Sequence, residues 1–214
     1  MAISRRALLR TGAASVLILG GSSVWLSTRS SAEARGPWRA ASAGFGDPRL
    51  DALAYAILAP NPHNMQPWQI GLEGEDSFAL FARSDRLLPE TDPPCRQITI
   101  GFGCFLGLFR QAAAEKGCRT EISSFPDGEP QPMLDERPLA RVRIVRDDSV
   151  AREPLFAATL QRHTQRAPFD TDQEVAAESL DRLCAVATPA VKVLCSAEAS
   201  RRDMLRERYG AYME

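Results

Sequence analysis

The segment Ala59–Ile70, APNPHNMQPWQI, carries prolines at 60, 62 and 67, and neither a helix nor a central strand can run through it. Each proline lacks an amide donor and pushes the residue before it into extended geometry. The segment is therefore a shaped loop. On that stiffened backbone the amide side chains of Asn64 and Gln66 present donors and acceptors in set directions, which is what recognition of a flat heteroaromatic ligand requires. His63 is read as a hydrogen-bonding support of the loop.

Regular structure is expected on both sides of this loop. Asp47-Pro48 is a helix start, an acidic cap followed by proline at the first helical position, and Leu50, Leu53, Ile57 and Leu58 follow at helical spacing to about Ala59. Residues 67–72 and 77–82 read as two strands around Glu73-Gly74-Glu75-Asp76. Residues 96–117 form a long helix with Ile98, Phe102, Phe105, Leu106, Phe109 and Ala113 toward one side. Gly101, Gly103 and Gly107 lie within it, each costing about 1 kcal/mol against alanine. Either another backbone or a ligand comes close there, or the helix packs tightly with no ligand. Strands at 118–125 and 139–145, helices at 153–161 and 172–185, a strand at 191–195 and a helix from 197 complete a mixed α/β or α+β domain.

The N-terminus is set aside before fold reasoning. Residues 4–10, SRRALLR, precede an uncharged run over 11–28 and a small-x-small site at Ala32-Glu33-Ala34. This layout resembles a twin-arginine (Tat) export signal. It implies the Tat export machinery as a partner and a periplasmic location, free or anchored to the inner membrane and facing the periplasm. Because that route carries folded proteins, it is compatible with a noncovalent cofactor. The apolar part, residues 13–26, is shorter than the ~20 residues that span a bilayer comfortably. Residues 35–46, rich in Ser, Ala, Gly and Arg, read as a linker, and residues 47–214 as the domain.

Residues 1–34 hold four arginines against one glutamate, and the whole chain has a formal charge of -1. The remainder is thus net acidic, with nothing to suggest nucleic-acid binding. The five cysteines have no CxxC spacing, which argues against a zinc site and for small buried hydrophobes. The two histidines, His63 and His163, lack acidic or cysteine partners at ligand spacing, so no metal site is expected.

A second unusual segment, QRHTQRAPFD, begins at Gln161. Arg162, Thr164 and Arg166 stand at alternate positions before Pro168, and two guanidiniums with a hydroxyl can grip a phosphate monoester. By itself the pattern is also that of solvated surface arginines.

Taken together, APNPHNMQPW and RHTQRAPF resemble the nitroreductase family, in particular its Tat-exported, two-repeat branch sometimes called Acg-like. The stretch CRQITIGFGCFLGLFRQAAAEKG is similar to the family's long central helix. The resemblance implies an α+β fold with a mixed sheet flanked by helices and FMN as cofactor. It puts Asn64 and Gln66 near the isoalloxazine, and Arg162, Thr164 and Arg166 on the ribityl phosphate. The implied activity is FMN-dependent reduction of nitroaromatic or quinone-like acceptors, with small-molecule donor and acceptor sharing one pocket and no catalytic side chain required. Family members form a two-fold interface, so a homodimer is one arrangement the resemblance suggests. The chain ends at Glu214, where relatives of this branch continue, and is read as a partial domain. The competing readings are a flavin-binding or sequestering protein without turnover, and a fragment with no function.

Overall fold

A proline at position 48 and an aspartate before it start the helix that leads into the loop, and the computed structural model describes how that helix is anchored. The structure describes residues 35–165, 167–170, 173–186 and 191–210; the proposed export signal lies outside them. Residues 1–164 and 165–214 form two units.

In the first unit the helices are α1 (Gly36–Ala43), α2 (Pro48–Ala56) and α3 (Arg96–Glu115), and the strands are β1 (Trp68–Glu73), β2 (Ser77–Ala82), β3 (Cys118–Ser124) and β4 (Ala140–Arg146). The sheet order is β1-β2-β4-β3. Every adjacent pair runs antiparallel. The class is therefore α+β, as expected, but among the described residues the sheet is antiparallel rather than mixed. The reason is in the connections: β1 and β2 are joined by a three-residue turn with Gly74 at φ 55°, and so short a link cannot return the chain parallel.

Asp47 caps α2 by accepting from the Arg49 amide at 2.8 Å. Arg49, buried, pairs with Asp47 at 2.9 Å and donates to the carbonyls of Gly74 and Ser77 at 2.8 and 3.2 Å. One side chain thus ties the helix start to the β1–β2 turn. The apolar face of α3 lies on the sheet, with Ile98, Phe102, Phe105 and Phe109 buried against Trp68, Phe78, Leu80 and Val142. Edge-on packing of Phe78 on Phe109 at 4.9 Å fixes the middle of this layer. The start of α3 is held by buried Asp92, whose carboxylate accepts from the Ile98 amide at 2.9 Å.

Two segments depart from expectation. Residues 35–46 read as a linker, yet α1 occupies 36–43, with Ala41 buried beside Ala54 and Leu58 and with Trp38 packed on them. A Ser/Ala/Gly-rich composition signals flexibility only where no apolar side chain finds a partner, and here Trp38 does. The expected helix at 153–161 is instead a 3-10 segment, Pro154–Gln161.

The second unit contains α4 (Ala177–Cys184) and α5 (Ala199–Gly210). The strand expected at 191–195 is not formed: only an isolated bridge at residue 191 appears. Val191 and Leu194 are both exposed, and among the described residues of this unit there is no β-strand beside which the segment could extend.

Candidate functional site

Three residues of the proline-rich loop that are not glycine have left-handed backbones: His63 at φ 50°, Asn64 at 54° and Gln66 at 53°. That region costs on the order of 1 kcal/mol per L-residue, so the surrounding structure must hold it. Asn61 does much of this. Its Oδ1 accepts from the Gln66 amide at 2.8 Å while its Nδ2 donates to the Ala59 carbonyl at 3.2 Å. From the far side, Arg86 Nη1 donates to the Met65 carbonyl at 2.9 Å. The role expected of His63 falls to these groups; His63 itself is exposed.

Asn64 and Gln66 are brought together by a hydrogen-bond relay that begins in the core. Trp68 Nε1 donates to Gln66 Oε1 at 3.1 Å, and Gln66 Nε2 donates to Asn64 Oδ1 at 2.9 Å. An indole N–H only donates, so it requires the carbonyl end of Gln66 to face it; this in turn directs Nε2 to Asn64 and leaves Asn64 Nδ2 pointing onward. The orientation of both amides follows from one donor-only side chain. Trp68 is fixed by its rings, with centroids 5.1 Å from Phe105 and 6.1 Å from Phe102. The loop therefore presents N–H donors whose direction is set by the core.

Helix α3 passes directly beneath. A Cβ on Gly101 would meet Asn61 Cβ at 3.4 Å and Pro62 Cδ at 3.6 Å, whereas Gly103 and Gly107 have nothing within 4 Å. Another backbone thus comes close at Gly101 alone, at a distance that still admits a Cβ. Tight packing explains neither of the other two.

Arg162 reaches the same loop from a distance in sequence. Its Nη2 donates to the Leu58 carbonyl at 2.9 Å. A cavity of about 340 Å³ lies beside it, lined by Pro60, Cys104, Gly107, Leu108, Leu155 and Arg162 among others. This cavity meets the loop at Pro60 and is not lined by Asn64 or Gln66. Thr164 is exposed, and Arg166 lies outside the described residues. The structure thus brings Arg162 to the foot of the loop and joins Asn64 to Gln66 at its tip.

Sequence reasoning missed Asn61, Trp68 and Arg86 as parts of this arrangement, whereas Gly101 was among the three glycines at which a close approach was expected. A signal existed for Trp68, a donor-only side chain two residues from Gln66; none existed for Arg86, which contacts the loop only through the fold. Of the five cysteines, Cys95 and Cys118 are buried as expected. In the second unit the Cys195 thiol is pushed up in pKa, chiefly by its hydrogen bond with Cys184.

The site belongs to an α+β domain whose proline-rich loop carries directed amide donors. Relatives of this chain are found in Mycobacterium tuberculosis. One, named "Putative NAD(P)H nitroreductase acg", is 34% identical over 120 residues, covering 55% of this chain and 34% of that protein. A second protein with a nitroreductase name is 36% identical over 75 residues, 35% of this chain and 22% of that one. An uncharacterized protein is 33% identical over 126 residues, 56% of this chain and 35% of its own length. The expectation of a nitroreductase relationship is supported at the level of these names. The chain spans about a third of the length of the curated relatives it matches. No protein-family model matches it. Among solved structures, the "Nitroreductase-like Family Protein" of Bacillus cereus has a TM-score of 0.37 at 15% identity, covering 63% of this chain and 86% of that one. The "Putative NADH Oxidase" of Clostridium acetobutylicum has a TM-score of 0.39 at 10% identity, covering 58% and 90%. At such scores neither carries weight for function.

Proposed function

We propose that this chain is an FMN-binding oxidoreductase of nitroreductase type, taking electrons from a small-molecule donor and passing them to nitroaromatic or quinone-like acceptors. The observation that carries the reading is the meeting of two distant motifs: Arg162 of the basic segment holds the Leu58 carbonyl at the entry to the proline-rich loop, 2.9 Å away. The relatives' names agree with it.

The residues present fit the cofactor's chemistry. Within the relay the Trp68 N–H occupies the Gln66 carbonyl and the Gln66 amide occupies the Asn64 carbonyl, which leaves the Asn64 amide N–H groups outward, complementary to the carbonyl edge of an isoalloxazine. Arg162, with Nη2 engaged by Leu58, keeps its remaining N–H groups for a phosphate oxygen, and Thr164 is close by in sequence. Bound FMN supplies the hydride and electron chemistry itself. The chain's own residues bind and orient the ring, and their donors stabilise charge on its carbonyl edge.

We further read residues 1–34 as a Tat signal that delivers the folded protein to the periplasmic side, where a second copy of the chain completes a two-fold assembly. Three measurements on the full chain test these readings. A yellow protein whose spectrum bleaches anaerobically with NADPH or NADH supports the oxidoreductase. Colour without bleaching favours flavin sequestration. A colourless protein that fails to titrate with FMN removes the flavin reading altogether. Replacing Arg5 and Arg6 with lysine should stop export, and light scattering with and without FMN reports the assembly.

A further inference from the structure

Cys184 is the last residue of α4, and Cys195 lies eleven positions further on, ahead of α5. The two thiols meet through a hydrogen bond. Both are half-buried, so the pair is packed and still open to solvent, whereas Cys95 and Cys118 are buried in the core of the first unit. Asp181, one turn before Cys184 on α4, adds negative charge beside them. The Cys195 thiol is held above its ordinary value first by the hydrogen bond with Cys184, then by desolvation and by the charge of Cys184 and Asp181. A thiol that keeps its proton is a poor metal ligand and a slow nucleophile. Among the described residues no group of three or more His, Cys, Asp or Glu could hold a metal. The unit around the pair is short of apolar packing: among its described residues no apolar side chain is buried, and Leu183, Val186, Val191 and Leu194 are all more than half exposed. A small unit with so little core gains most from a covalent crosslink.

We propose that Cys184 and Cys195 are a modification site: they close to an intramolecular disulfide that ties the C-terminal end of α4 to the residues before α5. The oxidant is another disulfide, that of a small thiol or of a thiol-oxidising protein. One cysteine of the pair, as thiolate, attacks a sulfur of that disulfide and releases one thiol. The second cysteine then attacks the mixed disulfide, forms the Cys184–Cys195 bond and releases the other thiol. The pair gives up two electrons and two protons, and the oxidant leaves as two thiols carrying both. Slow formation follows from the acidic neighbour, which disfavours the attacking thiolate. Ready closure of the second step follows from contact, because sulfurs that already touch need only side-chain rotation to bond. In the chain-entropy account, closing a loop of this length disfavours opening by about a hundredfold. The inference stands apart from the flavin reading, since it uses neither the proline-rich loop nor Arg162.

The test uses the full chain, first reduced and then held with oxidised glutathione. Peptide mapping after alkylation should find Cys184 joined to Cys195, and the denatured protein should have lost two of its five titratable thiols. Cys184→Ser, treated alike, should instead carry one glutathione on Cys195. Hydrogen exchange of the α4 amides should slow by about tenfold or more on oxidation. It should stay unchanged in the double variant, Cys184→Ser with Cys195→Ser, under the same treatment. Glutathione on each cysteine without a linked peptide overturns the inference, as does a link from either one to Cys104 or to a second chain. A linked peptide with unchanged α4 exchange overturns it too, because the bond then holds nothing in place. A linked peptide formed in protein that binds no FMN leaves the inference standing and removes only the flavin reading.

Discussion

Arg162 Nη2 and the Leu58 carbonyl, 104 residues apart in the chain, are 2.9 Å apart in space. The contact closes the first unit across the top of α3 and puts a cation at the entry of the proline-rich loop. Replacing Arg162 with alanine removes a charged donor from a carbonyl, a change of about 1–2 kcal/mol in stability. In the flavin reading it also costs phosphate affinity, so FMN binding should weaken tenfold or more while riboflavin binding is unchanged. Parallel titrations of the two flavins check this; equal losses for both would show that Arg162 acts on the loop alone.

The relay from Trp68 through Gln66 to Asn64 has a direction, and Gln66→Glu tests it. The carboxylate still accepts from the indole, but it has no hydrogen for Asn64 Oδ1. Asn64 then turns its own amide inward and loses its outward donors. We expect a loss of about 1–2 kcal/mol in stability and a further loss of flavin affinity exceeding that of Asn64→Ala. Urea melts and riboflavin titration of the two variants decide the order.

Gly101 offers a sign that depends on size. A Cβ there sits at ordinary contact distance, 3.4 Å from Asn61 Cβ, so Gly101→Ala should gain up to about 1 kcal/mol from helix propensity. Gly101→Leu has no such room and must displace Asn61, which accepts from the Gln66 amide. It should lower the melting temperature and loosen the loop. Amide exchange at Gln66, slow in the alanine variant and fast in the leucine variant, reports the difference.

Asp51 predicts the acid limb of stability. Its carboxyl is held below the ordinary value first by the Phe45 amide that it accepts from, and then by Lys116, whose Nζ lies 3.0 Å away. A carboxyl lowered in the folded state contributes stability that is fully present above its unfolded value, and loses it as pH falls through the folded one. Stability should therefore decline below about pH 4. Asp51→Asn should be less stable at neutral pH yet show a shallower decline in acid. Some slope remains in the variant, because Arg49 lowers Asp47 and Arg143 lowers Asp76 in the same way. Urea midpoints from pH 7 to pH 3 measure both effects.

Local sequence determined a good deal. The Asp47-Pro48 start, the two strands around Gly74, the apolar stripe of α3 and the break at Ala59–Pro67 all follow from propensities and periodicities that act within a few residues. The two motifs on which the proposed function draws were legible for the same reason, since proline fixes its own backbone and arginine its own fork. What neighbours alone could not specify was contact between segments. The linker residues 36–43 became a helix because Trp38 found Ala54 and Leu58; residues 191–195 have no strand to pair with among the described residues of their unit. Which glycine of α3 lies under the loop and which carbonyl Arg162 holds were settled only when distant residues met, as was the placing of the Trp68 indole by Phe102 and Phe105. Those are matters of distance and of donor against acceptor, and a linear order of residues carries neither.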